Sequence, residues 1–360
     1  MSRKLSKSFK GMSATAVTAL GLVVAGSGSA LAGNDLNVLT WEGYTDPSFV
    51  SVFEEQSGCT VTPTYVGSND EIIAKIAADA GTFDLVSPAI NYAQIMVTLG
   101  VLEPLEADKL DHLADMPDSF LGHPGVVGEN GEVWSVPMAW GSIPIMYRVD
   151  KFDVPPTSAE VLWDPAYAGH IATQDVSMGI FMAARILFGR DVDVYNLSDE
   201  QLEEVKVKLI EQKPLLRTYW STGGDLINLY ANGEVWVSET WGGYQSAVLN
   251  EQGIEVAEVI PTEKADGWQD VWAVVKDTPN LDCAYAWLNF SSGPGGQCGM
   301  VKVAGYSPAN ASAVQECLTP EEMEGLHLND AEYIEGLDFW QLQPRLDKYI
   351  EVWNAVKTAE

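Results

Sequence analysis

The chain has 360 residues, 46% of them hydrophobic and 10% aromatic, with 51 acidic against 20 basic side chains. That apolar content excludes a disordered polypeptide, and the length suffices for two domains, each with its own core. A formal charge of −31 excludes a nucleic-acid binder and disfavours docking to an anionic membrane, because no basic face is left to displace counterions from phosphate. An acidic coat of this kind suits solubility in a salty habitat.

Arg3, Lys4, Lys7 and Lys10 precede an apolar run from Ala14 to Ala25 and the small-residue triplet Ala30-Leu31-Ala32. This is the pattern of a secretory signal peptide over residues 1–32, with an apolar core too short for a membrane span. Cleavage near Ala32 leaves a chain beginning at Gly33. Neither a twin-Arg pair nor a cysteine stands near the cleavage point, so the free periplasm is the expected address.

Asp35 to Tyr44 reads as an apolar strand ending in a polar, aromatic corner, and Asp46-Pro47 opens a helix through Phe49, Val50 and Phe53. Cys59 to Tyr65 alternates as a second strand, Ile72, Ile73 and Ile76 give 69–80 helical spacing, and Phe83 to Ser87 is a short buried strand. The alternation predicts an α/β sheet covered on both faces, with ligands beyond the carboxyl ends of its strands. Those ends are Trp41 to Tyr44, Ser87 to Tyr92 and the turn around Asp175. A second α/β unit follows, with strands at 142–147, 170–173, 234–240 and 271–275, and helices at 178–188, 199–212, 282–290 and 345–358. No internal repeat or flexible linker separates the units, so the chain crosses between them through extended hinge strands.

Four cysteines, Cys59, Cys283, Cys298 and Cys317, allow three pairings in an exported chain, among which Cys298 with Cys317 ranks first. No C-x-x-C is present and His112, His123, His170 and His327 are scattered, so neither a metal nor a cofactor is expected. There is no G-x-S-x-G, P-loop or H-E-x-x-H, which leaves an exported hydrolase as a distant alternative. The glycine-rich run from Gly293 to Gly299 lacks the following Lys-Ser/Thr of a phosphate cradle and reads as a turn between helices.

Several motifs, in order, carry a resemblance. They are Trp41-Glu42-Gly43-Tyr44, Phe83-Asp84-Leu85-Val86-Ser87-Pro88, Val136-Pro137 with Trp140-Gly141, Gly233-Glu234-Val235 leading to Trp241, Trp268-Gln269-Asp270, and Gly305-Tyr306-Ser307-Pro308. Through nearly the whole exported chain the sequence resembles the periplasmic spermidine/putrescine-binding proteins of ABC importers. The resemblance implies a two-lobed periplasmic-binding-protein fold, each lobe a sheet flanked by helices, closing on a small solute without covalent chemistry. Lobe 1 would comprise 33–140 and 269–314, and lobe 2 would comprise 141–268 and 315–360. The implied partners are a small aliphatic amine, or alternatively an ω-amino acid such as γ-aminobutyrate, and an inner-membrane ABC permease. A monomer is expected.

Carried over by position, the aromatic box is Trp41, Tyr44, Trp241, Trp268 and Tyr306, with Asp270 as the main ammonium acceptor, Asp175 as a second acid and Gln341 as a polar contact from the tail. The chain departs from the pattern where Met178-Gly179 replaces a second acid, where Glu42 stands one place before the expected acid, and where Asn91 replaces an aromatic. These losses fall mostly at the far amine of a long polyamine and favour a short diamine.

The residue types suit the chemistry. A polyamine alternates ammonium heads with methylene stems, so its site needs carboxylates separated by flat apolar faces. A cation over a Trp face gains roughly 0.5 to 2 kcal/mol, and a desolvated amine also needs an acceptor. Trp268 and Asp270, two residues apart on an extended segment, share one face. Most of the 12 Trp residues read as core, whereas Trp41, Trp241 and Trp268 stand at strand ends beside Gly or polar residues. Asp175 reads equally as a helix cap, and Asp270 has the plainer reading of a loop carboxylate. Arg217 and Glu239 form a further candidate pair. If Arg217 enters the cleft it clamps a carboxylate and the ligand is a zwitterion; otherwise it is a surface or interlobe salt-bridge residue.

Overall fold

The computed structural model describes residues 34–359, except 329, 331, 332 and 335. The expected leader and its cleavage point lie outside the described residues. In chain order the fold runs β1 (Asp35–Thr40), α1 (Pro47–Ser57), β2 (Thr60–Tyr65), α2 (Asn69–Asp79), β3 (Leu85–Val86), α3 (Ile90–Leu99), α4 (Asp118–Leu121) and β4 (Val136–Ser142). It continues with β5 (Ile145–Arg148), β6 (Ile171–Gln174), α5 (Gly179–Phe188), α6 (Asp199–Gln212), β7 (Leu216–Trp220), α7 (Gly223–Ala231), β8 (Val237–Glu239), α8 (Tyr244–Glu251) and β9 (Val256–Val259). The last part comprises β10 (Ala265–Val274), α9 (Leu281–Ser292), α10 (Pro294–Ala304), β11 (Ser307–Pro308), α11 (Pro320–Gly325), β12 (Leu337–Phe339) and α12 (Leu346–Thr358).

Among the described residues these strands form two sheets. The first has the order β11-β4-β10-β3-β1-β2, with β12 beside β10; the second has the order β7-β6-β8-β5-β9. β1 lies parallel to β2 and β3, while β10 enters antiparallel to β3 and β4. Helix α1 starts where its sequence dictates: the Asp46 carboxylate accepts the Ser48 N–H, Pro47 occupies the first turn, and Gly58 ends the helix at φ 72°. Its buried Phe53 packs edge-on against Trp287 at 5.0 Å, and Trp287 meets Trp272 at 5.5 Å. Both of those tryptophans are fully buried core, whereas Trp236 is only partly buried and stacks on His170 at 3.5 Å.

Several expected elements have different limits. The stretch 142–147 is not one strand: Pro144, with no N–H to donate, separates β4 of the first sheet from β5 of the second. There the Ile143 N–H donates to the Asp266 carbonyl at 2.8 Å, so the two strands that change sheets are bonded side by side. The expected strand at 271–275 is the end of the ten-residue β10, and 234–240 contributes only β8. Strand β7 lacks a clean alternation and was not expected. Cys298 pairs with Cys317, and Cys59 with Cys283, which ties the start of β2 to α9.

The glycine run also differs from a simple turn. Gly293 separates α9 from α10, and the remaining glycines belong to the first turns of α10. A Cβ at Gly299 would stand 2.4 Å from the Phe49 Cβ, so only glycine lets α10 approach α1 this closely. Gly299→Ala is therefore expected to destabilise the fold by about 1–3 kcal/mol through overpacking, read as a lower midpoint in urea unfolding with an unchanged slope.

Candidate functional site

The carboxyl ends of four strands converge on one cavity. The segment after β1 brings Trp41 and Tyr44, that after β2 brings Ser68 and Asn69, β6 ends in Gln174 followed by Val176 and Met178, and β8 leads to Trp241. From the first sheet β10 adds Trp268 and Asp270, Tyr306 precedes β11, and Trp340 follows β12. The walls meet beside the cavity: a Cβ on Gly67 would lie 2.7 Å from the Ser221 carbonyl, an approach that leaves no room for a side chain.

The aromatic walls are held by their polar tips. Trp41 Nε1 donates to the Ser87 carbonyl at 2.7 Å, and Trp268 Nε1 donates to the carbonyls of Trp241 at 2.9 Å and Ser142 at 3.2 Å. Trp41 and Trp241 meet edge-on at 6.0 Å, Trp268 and Tyr306 at 4.7 Å, and Tyr44 and Tyr306 at 6.0 Å. Rings fixed in this way present faces and edges to a ligand at little further entropic cost.

Asp270 is 7% exposed, and its Oδ2 accepts the Tyr44 hydroxyl at 2.7 Å. Among the described residues no basic side chain forms an ion pair with it. Burial pushes its carboxyl up to about 7 despite the hydrogen bond from Tyr44, which acts in the opposite direction. Burial and the nearby Asp270 push the Tyr44 hydroxyl well above its ordinary range, so it remains a donor. The arrangement suits a desolvated cation, which would supply the charge that Asp270 lacks.

Of the residues singled out from sequence, Trp41, Tyr44, Trp241, Trp268, Asp270 and Tyr306 share this cavity. The others do not line it. Glu42 is exposed and Asn91 is buried on α3. Asp175 is neither a cap nor a wall residue: it pairs with Lys357 of α12 at 2.6 Å and accepts the Trp353 indole N–H at 3.3 Å. Gln341 is exposed, one place beyond the inward-facing Trp340. Arg217 is 50% exposed, pairs with Glu234 at 2.5 Å and does not line the cavity. Glu239 lines an adjoining compartment instead.

Sequence reasoning missed Ser68, Asn69, Gln174, Val176, Met178 and Trp340. Gln174, Val176 and Met178 flank the turn around Asp175, which the strand-end rule placed at the site without singling them out, and Ser68 and Asn69 follow β2, whose end at Tyr65 was expected, so the same rule covers all five. Trp340 had no local signal, because the pairing of β12 with β10 brings it in from far along the chain.

Two sheets with flanking helices, joined by strands that cross between them around a lined cleft, define a two-lobed solute-binding fold. The profile of the bacterial extracellular solute-binding proteins matches residues 48–324, and the chain belongs to that family. It is 26% identical over 294 residues to the putrescine-binding periplasmic protein PotF of Escherichia coli K12, covering 77% of this chain and 78% of that one. It is 27% identical over 312 residues to the spermidine/putrescine-binding periplasmic protein of the same organism, covering 86% of each. Among solved structures, the spermidine/putrescine ABC transporter substrate-binding protein PotD from Streptococcus pneumoniae superposes with a TM-score of 0.73 at 25% identity, over 90% of this chain and 98% of that one.

The raised Asp270 carboxyl has a consequence for stability. In the ligand-free protein its stabilising contribution is complete below about pH 4 and is lost as pH rises towards about 7, because the unfolded chain ionises first. Asp270→Asn is therefore expected to be more stable than wild type at pH 8 and nearly equal to it at pH 4, as urea unfolding at the two pH values would show. An Asn variant less stable than wild type at pH 8 contradicts the uncompensated charge.

Proposed function

We propose that the chain is the periplasmic solute-binding component of an ABC importer for short aliphatic polyamines, with putrescine as the reference ligand. The observation that carries this reading is a buried carboxylate, Asp270, without a cationic partner inside a box of Trp41, Tyr44, Trp241, Trp268 and Tyr306. An ammonium there replaces its hydration with the Asp270 carboxylate and aromatic faces, while the stem lies against the indoles. The names of the relatives, putrescine-binding and spermidine/putrescine-binding, agree with that chemistry. The exposed position of Arg217 weighs against the γ-aminobutyrate alternative, which needs a guanidinium or another cation for its carboxylate.

In this reading the chain performs no catalysis. It is exported as a monomer after removal of a leader near Ala32, and it hands its ligand to an inner-membrane permease without contact with nucleic acid. No helix among the described residues is long and apolar enough to cross a membrane. We assign the hinge to residues 143–144 and 260–264, between the strands that change sheets, a few residues from the boundaries expected at 140/141 and 268/269. Ligand reaches both walls only when the lobes are closed, so it biases the hinge equilibrium towards the form that docks on the permease.

Calorimetry with putrescine, spermidine, cadaverine, γ-aminobutyrate and taurine tests the ligand class. Putrescine is expected to bind and γ-aminobutyrate to bind far more weakly. Asp270→Asn should cost about 2–5 kcal/mol of amine affinity, and Arg217→Ala should change no affinity by more than about threefold. Putrescine affinity retained by the Asn variant, or binding confined to the amino acids, contradicts the proposal.

A further inference from the structure

The amine-binding cavity does not end at its aromatic box. A second, smaller compartment shares Gln174, Val176, Met178 and Trp340 with the first, so the two are continuous. Its other walls include Ile143 and Met182, with two carboxylates, Glu239 and Asp266, at its polar side. Resting on the amine reading above, we propose that Glu239 receives the distal ammonium of a diamine whose proximal ammonium is held by Asp270.

The two acids of the inner compartment are not equivalent. Asp266 is engaged by the buried Arg185 guanidinium at 2.6 Å, which also holds Asp338 at 2.9 Å. Glu239 forms no ion pair among the described residues; its Oε1 accepts the Gln174 backbone N–H at 2.8 Å. Burial, with a smaller contribution from Asp266, pushes the Glu239 carboxyl up to about 7 against that one hydrogen bond. The groups that face it are Gln174 from β6, Tyr219 from β7, and Asp266 from β10, the last already neutralised by Arg185. None of them offers a positive charge.

Placement explains why this acid, and not Asp175, serves the far end of the ligand. Lys357 occupies both Asp175 oxygens at 2.6 and 2.7 Å, and that carboxylate lines neither compartment. Met178, where a second acid is missing, lines both compartments, and its thioether side chain gives the methylene stem an apolar wall between the two carboxylates. The local sequence sets this up: Glu239 lies two residues before Trp241 at the end of β8, so one short strand supplies both the distal acceptor and part of the proximal box. A ligand with a carboxylate at the far end would meet Glu239 and be repelled, which makes the inner compartment selective for cations at both ends.

Titration calorimetry of the ligand-free exported chain at pH 6, in buffers of different ionisation enthalpy, tests this with putrescine and n-butylamine. Both acids are largely protonated there, so each that takes up an ammonium must release its proton. Wild type is expected to release about two protons on binding putrescine and about one on binding n-butylamine. Glu239→Gln should weaken putrescine at least tenfold, leave n-butylamine within threefold, and reduce the putrescine proton count to that of the monoamine. Glu239→Asp should restore the larger count.

If wild type releases no more protons with putrescine than with n-butylamine, or if Glu239→Gln binds putrescine within threefold of wild type, the assignment of Glu239 is wrong while the amine reading stands. If wild type binds neither amine, the amine reading itself fails and this assignment with it.

Discussion

Asp270 sits on a central strand of the first sheet, out of water, with a hydrogen bond from Tyr44 and no cationic partner among the described residues. A carboxylate so placed is held largely neutral at mid pH or waits for a positive charge, and the surrounding structure serves the second possibility. Strand β10 changes register between Asp270 and Val271, an irregularity that reorients side chains at this point. Tyr44 donates to one carboxylate oxygen, and Tyr306 meets both Tyr44 and Trp268 edge-on in the same cavity. These contacts fix the acceptor without neutralising it, which is the condition under which a cationic ligand contributes most.

Trp268 links that acceptor to the lobe geometry. Its indole N–H bonds the carbonyl of Ser142, the last residue of β4 before the chain leaves the first sheet, and the carbonyl of Trp241 from the second lobe. The ring that lines the cavity therefore also bridges the two lobes near their crossing. Pro144 ends the first crossing strand, and the Ile143 to Asp266 bond couples it to the second. The cavity wall and the crossing strands are thus connected through a few short contacts.

Much of the fold was legible because the alternation of short apolar strands with helical spacing is local. The limits of α1 follow from Asp46-Pro47 and Gly58, and α2 follows from the isoleucine pattern of 72–76. The break between β4 and β5 was not legible, since 143–147 reads as one apolar run and only the missing N–H of Pro144 reveals it.

The site divides in the same way. Trp41, Tyr44, Trp241, Trp268, Asp270 and Tyr306 stand at or beside strand ends within short motifs, and the resemblance carried them to one cavity. Asp175 and Arg217 were ambiguous because their partners, Lys357 and Glu234, are 182 and 17 residues away, and no local pattern shows which charge a side chain will meet. Gln341 was misplaced by one position: the pairing of β12 with β10 turns Trp340 inward instead. Carbon-13 NMR titration of the Asp270 carboxyl, with and without saturating putrescine, tests the central role of that group. A midpoint near 7 in the free protein that falls to the ordinary carboxylate range or below in the complex is the expected result. An ordinary midpoint in the free protein, unmoved by putrescine, would contradict it.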